Sequence, residues 1–219
     1  MELVYANLGT LSGLSTLLLA VGLTFGLRPW PALPWVRPWL ASYWVSALTL
    51  LSLSLPLAWP VLRLAPLDLR TFAVLNSGFF LAAGLQGLGW LRLRGMKAPL
   101  PLAMLPMATY LGLFFTTGAE GDARIRLVLF SSLQALLHGA MAAVVPGGLR
   151  RVAPRLGQVV SGLLTLHALF YVGRTALALL LPAEGDFSVS VAIAVLEGLI
   201  FNLGIAYFQW VVLTEGESA

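Results

Sequence analysis

The chain has 219 residues, of which 59% are hydrophobic and 10% charged. A soluble domain carries about 25% charged residues, so this surface is built for lipid rather than water. A dispersed net charge of +4 gives no nucleic-acid footprint, and the lack of cysteine excludes disulfides, thiolate metal sites and a cysteine nucleophile.

A helix crossing a bilayer needs about 20 mainly apolar residues. Seven stretches meet that need, and the expected fold is all-α: one polytopic seven-transmembrane helix bundle, residues 1–219, as a single domain. The first span, residues 4–27, has no basic n-region and follows Glu2, so it reads as a helix rather than a signal peptide. The Pro- and Trp-rich "RPWPALPWVRP" after it suits an interfacial turn. The second span, 39–59, is interrupted by Pro56 and Pro60. It ends near Leu55, kinks and continues, or gives way to a short interfacial helix. The third span, 71–91, is followed by "RLRGMKAP", and the fourth, 100–117, by "GAEGDARIR". The fifth, 127–145, precedes "PGGLRRVAPRLG"; the sixth, 158–181, precedes "PAEGDF"; the seventh is 188–213. Linkers this short predict antiparallel neighbours.

Seven spans place the termini on opposite sides. With the N-terminus outside, the inner loops hold Arg28, Arg37, Arg92, Arg94, Lys97, Arg150, Arg151 and Arg155. The outer loops hold Arg63, Arg70, Arg124 and Arg126, the last two beside Glu120 and Asp122, and the loop after span six holds only Glu184 and Asp186. The positive-inside rule therefore predicts a cytoplasmic C-terminus.

Ionisable groups inside a bilayer are costly and need a partner or a purpose. Arg174 lies about 10 Å below the outer edge of span six, and Glu197 roughly 13 Å into span seven. Matched depth on adjacent helices predicts an ion pair, either a structural register pin or part of a ligand or proton site; the remaining alternative is that one of the two snorkels and they never meet. His167 and Tyr171 share the Arg174 face at helical spacing. His138 on span five reaches a depth comparable to that of His167. Two histidines at one level would suit haem or a metal only if both face inward; interhelical hydrogen bonding is their commoner use. No metal or other cofactor is therefore expected. Asn76, Gln86, Gln134, Asn202 and Gln209 read as interhelical hydrogen-bonding groups, with Asn76 and Gln134 in the Arg174–Glu197 layer. Gly9 with Gly13, and Gly84 with Gly87, make thin faces for packing inside the bundle or for a homodimer seam.

Several chemistries leave no trace. HExxH, GxSxG and Walker motifs are absent, so no enzyme is expected. The lone lysine, Lys97, lies in a loop and excludes a buried retinal Schiff base. Inverted repeats with broken helices are not apparent, which weakens a transporter reading.

The segments "VLNSGFFLAAGLQGLGWLRLRG", "RIRLVLFSSLQALLHGAMAAVV", "LHALFYVGRTALALLLP" and "EGLIFNLGIAYFQWVVLTE" resemble the N-terminal multi-helix membrane sensor modules of bacterial GGDEF proteins, the diguanylate cyclases. The resemblance covers about two thirds of the chain. It implies that Asn76 opens the third helix, that Arg124 and Arg126 start the fifth, that Arg174 sits late in the sixth, and that the seventh runs toward the cytoplasm. The GG(D/E)EF signature is absent, so cyclase activity does not carry over. The resulting expectation is a sensor or receptor-like module in a bacterial cytoplasmic membrane. It would bind a small or lipophilic ligand in an outer-half pocket of Arg174, Glu197, His167, Tyr171, Asn76, Gln134, His138 and Asn202, and signal through its last helix, a cytoplasmic partner or a homodimer. The alternative is a small transporter or channel with Arg174 and Glu197 on the substrate path.

Overall fold

The computed structural model describes residues 2–26, 33–58, 68–149, 154–180 and 188–216. The helices are α1 (Glu2–Gly26), α2 (Val36–Ala58), α3 (Leu69–Asn76), α4 (Gly78–Leu93), α5 (Leu105–Thr116), α6 (Ala123–Leu149), α7 (Pro154–Leu180) and α8 (Ser188–Gly216). A 3₁₀ turn, Leu100–Met104, leads into α5. No strand occurs among the described residues. Six stretches are long and apolar enough to cross a membrane, with α3 and α4 counted together, and Leu100–Thr116 is a shorter apolar one. This is a multi-pass membrane protein. Exposed Ile193, Leu196, Ile200, Leu203, Tyr207 and Trp210 recur every three or four residues along α8, an apolar stripe of the kind lipid covers.

Helices α1, α2, α4, α6, α7 and α8 close a ring in that order, with α8 returning to α1. Helix α5 packs outside the ring in the groove between α4 and α6, and α3 continues the line of α4 after a break at Ser77. The thinnest junction of the ring is between α7 and α8.

Local chemistry explains the joints. Asp68 caps α3 by accepting from the Arg70 and Thr71 amides at 2.9 and 2.8 Å. Those donors, Thr71 first, hold its carboxyl below the usual carboxylate range. Gly78 lets α4 meet α2, because a Cβ there would fall 2.1 Å from Thr49 Oγ1. Pro146 sits inside α6 and has no amide hydrogen for the carbonyl of Ala142. Ser161 of α7 supplies the missing donor, its hydroxyl 2.8 Å from that carbonyl. Pro56 lies within α2, which runs past Leu55 to Ala58; Pro60 lies outside the described residues, as do Arg28, Arg63, Arg150, Arg151, Glu184 and Asp186.

The glycine faces are used inside the molecule. A Cβ on Gly9 would meet Ser54, and one on Gly13 would meet Leu51, both of α2. Gly84 touches the Ala103 carbonyl of the 3₁₀ turn, and Gly87 faces Met141 of α6. These contacts leave neither face open as a homodimer seam.

The two halves of the bundle differ. The half holding the start of α2 and the ends of α4, α6 and α8 is solid. There Trp39 and Trp90 lie 4.6 Å apart among Val145, Leu149, Leu164, Ile205 and Val212, all buried. Tyr43 donates to Gln209 Oε1 at 2.7 Å in the same half, joining α2 to α8. The opposite half contains the cavity.

Candidate functional site

A cavity of about 440 Å³ lies inside the ring, in the half that holds the N-terminal end of α1. Its volume falls within the range of small-molecule sites, about 300–1,000 Å³. All eight helices contribute to its wall. Arg174, His167, Tyr171, Asn76, Gln134, His138 and Asn202 line it; Glu197 stands behind His167. Seven of the eight residues expected to form the pocket thus border one space; Glu197 is not on its wall, and Gln209 lies in the opposite half on Tyr43.

The mouth is built by helix ends. Asp122 accepts from the amides of Arg124 and Ile125 and starts α6 at Ala123, one turn earlier than the sequence suggested. Arg124 Nε donates to the Ala178 carbonyl at 2.8 Å and Arg124 Nη2 to that of Leu179, which caps the last turn of α7. Arg126 points the other way. Its Nη1 donates to the carbonyls of Ala119 and Glu120 at 3.0 and 3.2 Å, and the residue lines the cavity. Glu120 is bridged by Arg70 at 3.0 Å, which joins the start of α3 to the loop after α5. Asn76 donates to the Tyr110 hydroxyl at 3.2 Å, and Phe80 stacks on the Tyr110 ring at 4.5 Å. These contacts fix α3, α4 and α5 around one side of the cavity.

The deep end is an aromatic and histidine cluster. The His167 ring stacks on Phe201 at 3.7 Å with an 8° interplanar angle, and its Nδ1 meets Glu197 Oε1. His138 stands edge-on to His167 with ring centroids 4.3 Å apart. The Nδ1 of His138 is 2.8 Å from the Gln134 carbonyl, one turn earlier on α6. A carbonyl only accepts, so that nitrogen carries hydrogen, and the Nε2 of a neutral ring is an acceptor. Both histidines do face inward, but no group of three or more metal-ligating side chains occurs among the described residues.

One pairing differs from expectation. Arg174 and Glu197 form no ion pair within 4 Å. Glu197 and Phe201 lie four residues apart on one face of α8, so the ring that stacks on Phe201 also meets the carboxylate, and that ring is His167. The Arg174 guanidinium instead lies 6.0 Å from the centre of the Phe130 ring. Tyr171 stands within electrostatic reach of both Arg174 and Glu197.

The sequence reading missed Arg126, Tyr110 and Phe130 as wall residues. Arg126 was hidden because the fifth span was drawn from residue 127 and its charge was counted with the outer loop, although the resemblance placed it at the start of that helix. The capping aspartate four residues before it was the available signal. Comparison with family models, curated proteins and solved structures finds no match.

Proposed function

We propose that this chain is a seven-helix membrane sensor or receptor-like module, with the N-terminus outside and the C-terminus in the bacterial cytoplasm. The cavity binds a small or lipophilic ligand, and the signal leaves through α8 or a cytoplasmic partner. The observation that carries this reading is the cavity itself: a mainly apolar space with Arg126, Arg174, Gln134 and His138 on its wall, confined to one half, and backed by a solid core of Trp39, Trp90, Leu164 and Ile205. A sensor needs one ligand-dependent shift, worth a few kcal/mol of differential binding. A transporter needs a second state that wets the same site from the other side.

The seventh crossing belongs to Leu100–Thr116. Its 3₁₀ turn rises about 2.0 Å per residue and α5 about 1.5 Å, giving about 28 Å, close to the bilayer core. The Arg70–Glu120 bridge supports this, because it joins the far end of α5 to the start of the α3–α4 line.

Thermal-shift screening of lipophilic compounds on the purified protein, paired with uptake into proteoliposomes, tests the reading. A compound that raises the melting temperature without being taken up fits a sensor. Uptake that is lost in Glu197→Gln would replace it with transport.

A further inference from the structure

The deep end of the cavity is rich in acceptors. His138 donates its Nδ1 hydrogen to the Gln134 carbonyl, and its Nε2 is left as an acceptor. The Gln134 side chain stands on the same wall, 3% exposed, and its Oε1 meets no hydrogen-bond partner. Two acceptors thus lie one turn apart on α6, and residues at that spacing are neighbours, with Cβ atoms about 5–6 Å apart. An acceptor buried without a donor loses its water and gains nothing in exchange. The rest of the wall is largely apolar, with Phe79, Phe130 and Phe201 on it.

A ligand suited to this floor brings two donors and no charge. An ammonium would carry its charge toward mid-bilayer at high cost. An alcohol has one O–H and reaches one acceptor. A diol has two, but each oxygen adds two lone pairs to a floor already rich in acceptors. The nitrogen of a primary amide carries two N–H donors, and its own lone pair is delocalised into the carbonyl. Two hydrogen bonds of about 2.9 Å leaving one nitrogen about 120° apart end at acceptors about 5 Å from each other, the spacing of neighbours on a helix. The amide carbonyl is left to donors on the cavity wall, where the Tyr171 hydroxyl and the Asn202 amide stand.

We infer that the cavity takes a neutral lipophile ending in a primary amide, whose two N–H groups donate to Gln134 Oε1 and His138 Nε2. Its apolar body lies along the three phenylalanines. The inference rests on the reading of the cavity as a ligand site and adds the chemical class of the ligand.

Decanamide, N-methyldecanamide and N,N-dimethyldecanamide test it. They share one acyl chain and one carbonyl and carry two, one and no N–H. Binding is measured by calorimetry on the whole protein in phosphatidylcholine nanodiscs, with partition into empty nanodiscs subtracted. Each N–H removed should weaken binding about tenfold. Gln134→Leu and His138→Phe each leave one acceptor, so either change should bring decanamide level with N-methyldecanamide. Each variant should still bind both more tightly than the dimethyl amide.

Equal affinity of decanamide and the dimethyl amide in the unaltered protein would mean that water holds the floor, and would overturn the inference. An order that persists unchanged in both variants would reduce it to crowding by the methyl groups, with the same result. Decane-1,2-diol binding as tightly as decanamide would replace the amide with a diol. Failure of all the probes would defeat this ligand class while leaving the sensor reading open to other ligands. Uptake of a screened compound that is lost in Glu197→Gln would end the sensor reading, while the floor assignment, read from binding alone, would stand.

Discussion

An imidazole inside a bilayer is held in one orientation when something accepts its N–H, and both histidines have such an acceptor: the Gln134 carbonyl for His138 and the Glu197 carboxylate for His167. Their role should therefore show as pairwise coupling. Glu197→Ala removes the acceptor of His167, whereas Glu197→Gln keeps an amide oxygen and should cost less. In a double-mutant cycle with His167→Ala, the coupling should be about 1 kcal/mol, read from reversible unfolding in mixed micelles. The same cycle between Glu197 and Arg174 should give a smaller value, since no ion pair joins them. A larger Arg174 coupling would reinstate the ion pair expected from depth alone. Depth was legible in the sequence because each helical residue adds a fixed rise. Partner choice was not, because it depends on the rotation of α8 about its axis. Phe201 sets that rotation by stacking on His167, and nothing in the sequence marks Phe201 apart from the other phenylalanines.

At the scale of elements, two close contacts hold helices that sequence reading could count but not join. Ser161 satisfies the carbonyl that Pro146 frees in α6. Ser161→Ala should cost about 1 kcal/mol in unfolding free energy. Pro146→Ala in that background should recover part of the loss, because an alanine amide returns to the Ala142 carbonyl. Gly84 is the second contact. A Cβ there would lie 2.1 Å from the Ala103 carbonyl oxygen, so Gly84→Val must displace the 3₁₀ turn and should lower the melting temperature markedly. Gly112→Ala on α5, with nothing within 4 Å, is the control and should be near neutral. Hydrophobic runs and their Pro, Gly and Arg punctuation made the apolar segments readable. The break at Ser77 and the 3₁₀ entry to α5 were not readable. Both are set by packing against α2 and α4 through glycines whose neighbours lie elsewhere in the chain.

For the whole molecule, the native absence of cysteine makes orientation directly measurable. Single cysteines introduced at Glu120 and at Lys97 should label from opposite sides with an impermeant maleimide, Glu120 from outside intact cells and Lys97 only after permeabilisation. Labelling of both from one side would show that Leu100–Thr116 does not cross. The uneven filling of the bundle also bears on how α8 can move. Ile205, Ala206, Gln209, Val212 and Leu213 are all buried, so this stretch is gripped on its inner face. The stretch around Ala194, Val195, Gly198 and Asn202 borders the cavity. A rod clamped over its last turns and bordered by open space over its first ones yields at the open end alone. A push delivered at Glu197 is therefore taken up as bending on the cavity side of Ile205, about 12 Å away, while the gripped turns from Ile205 to Leu213 stay in place.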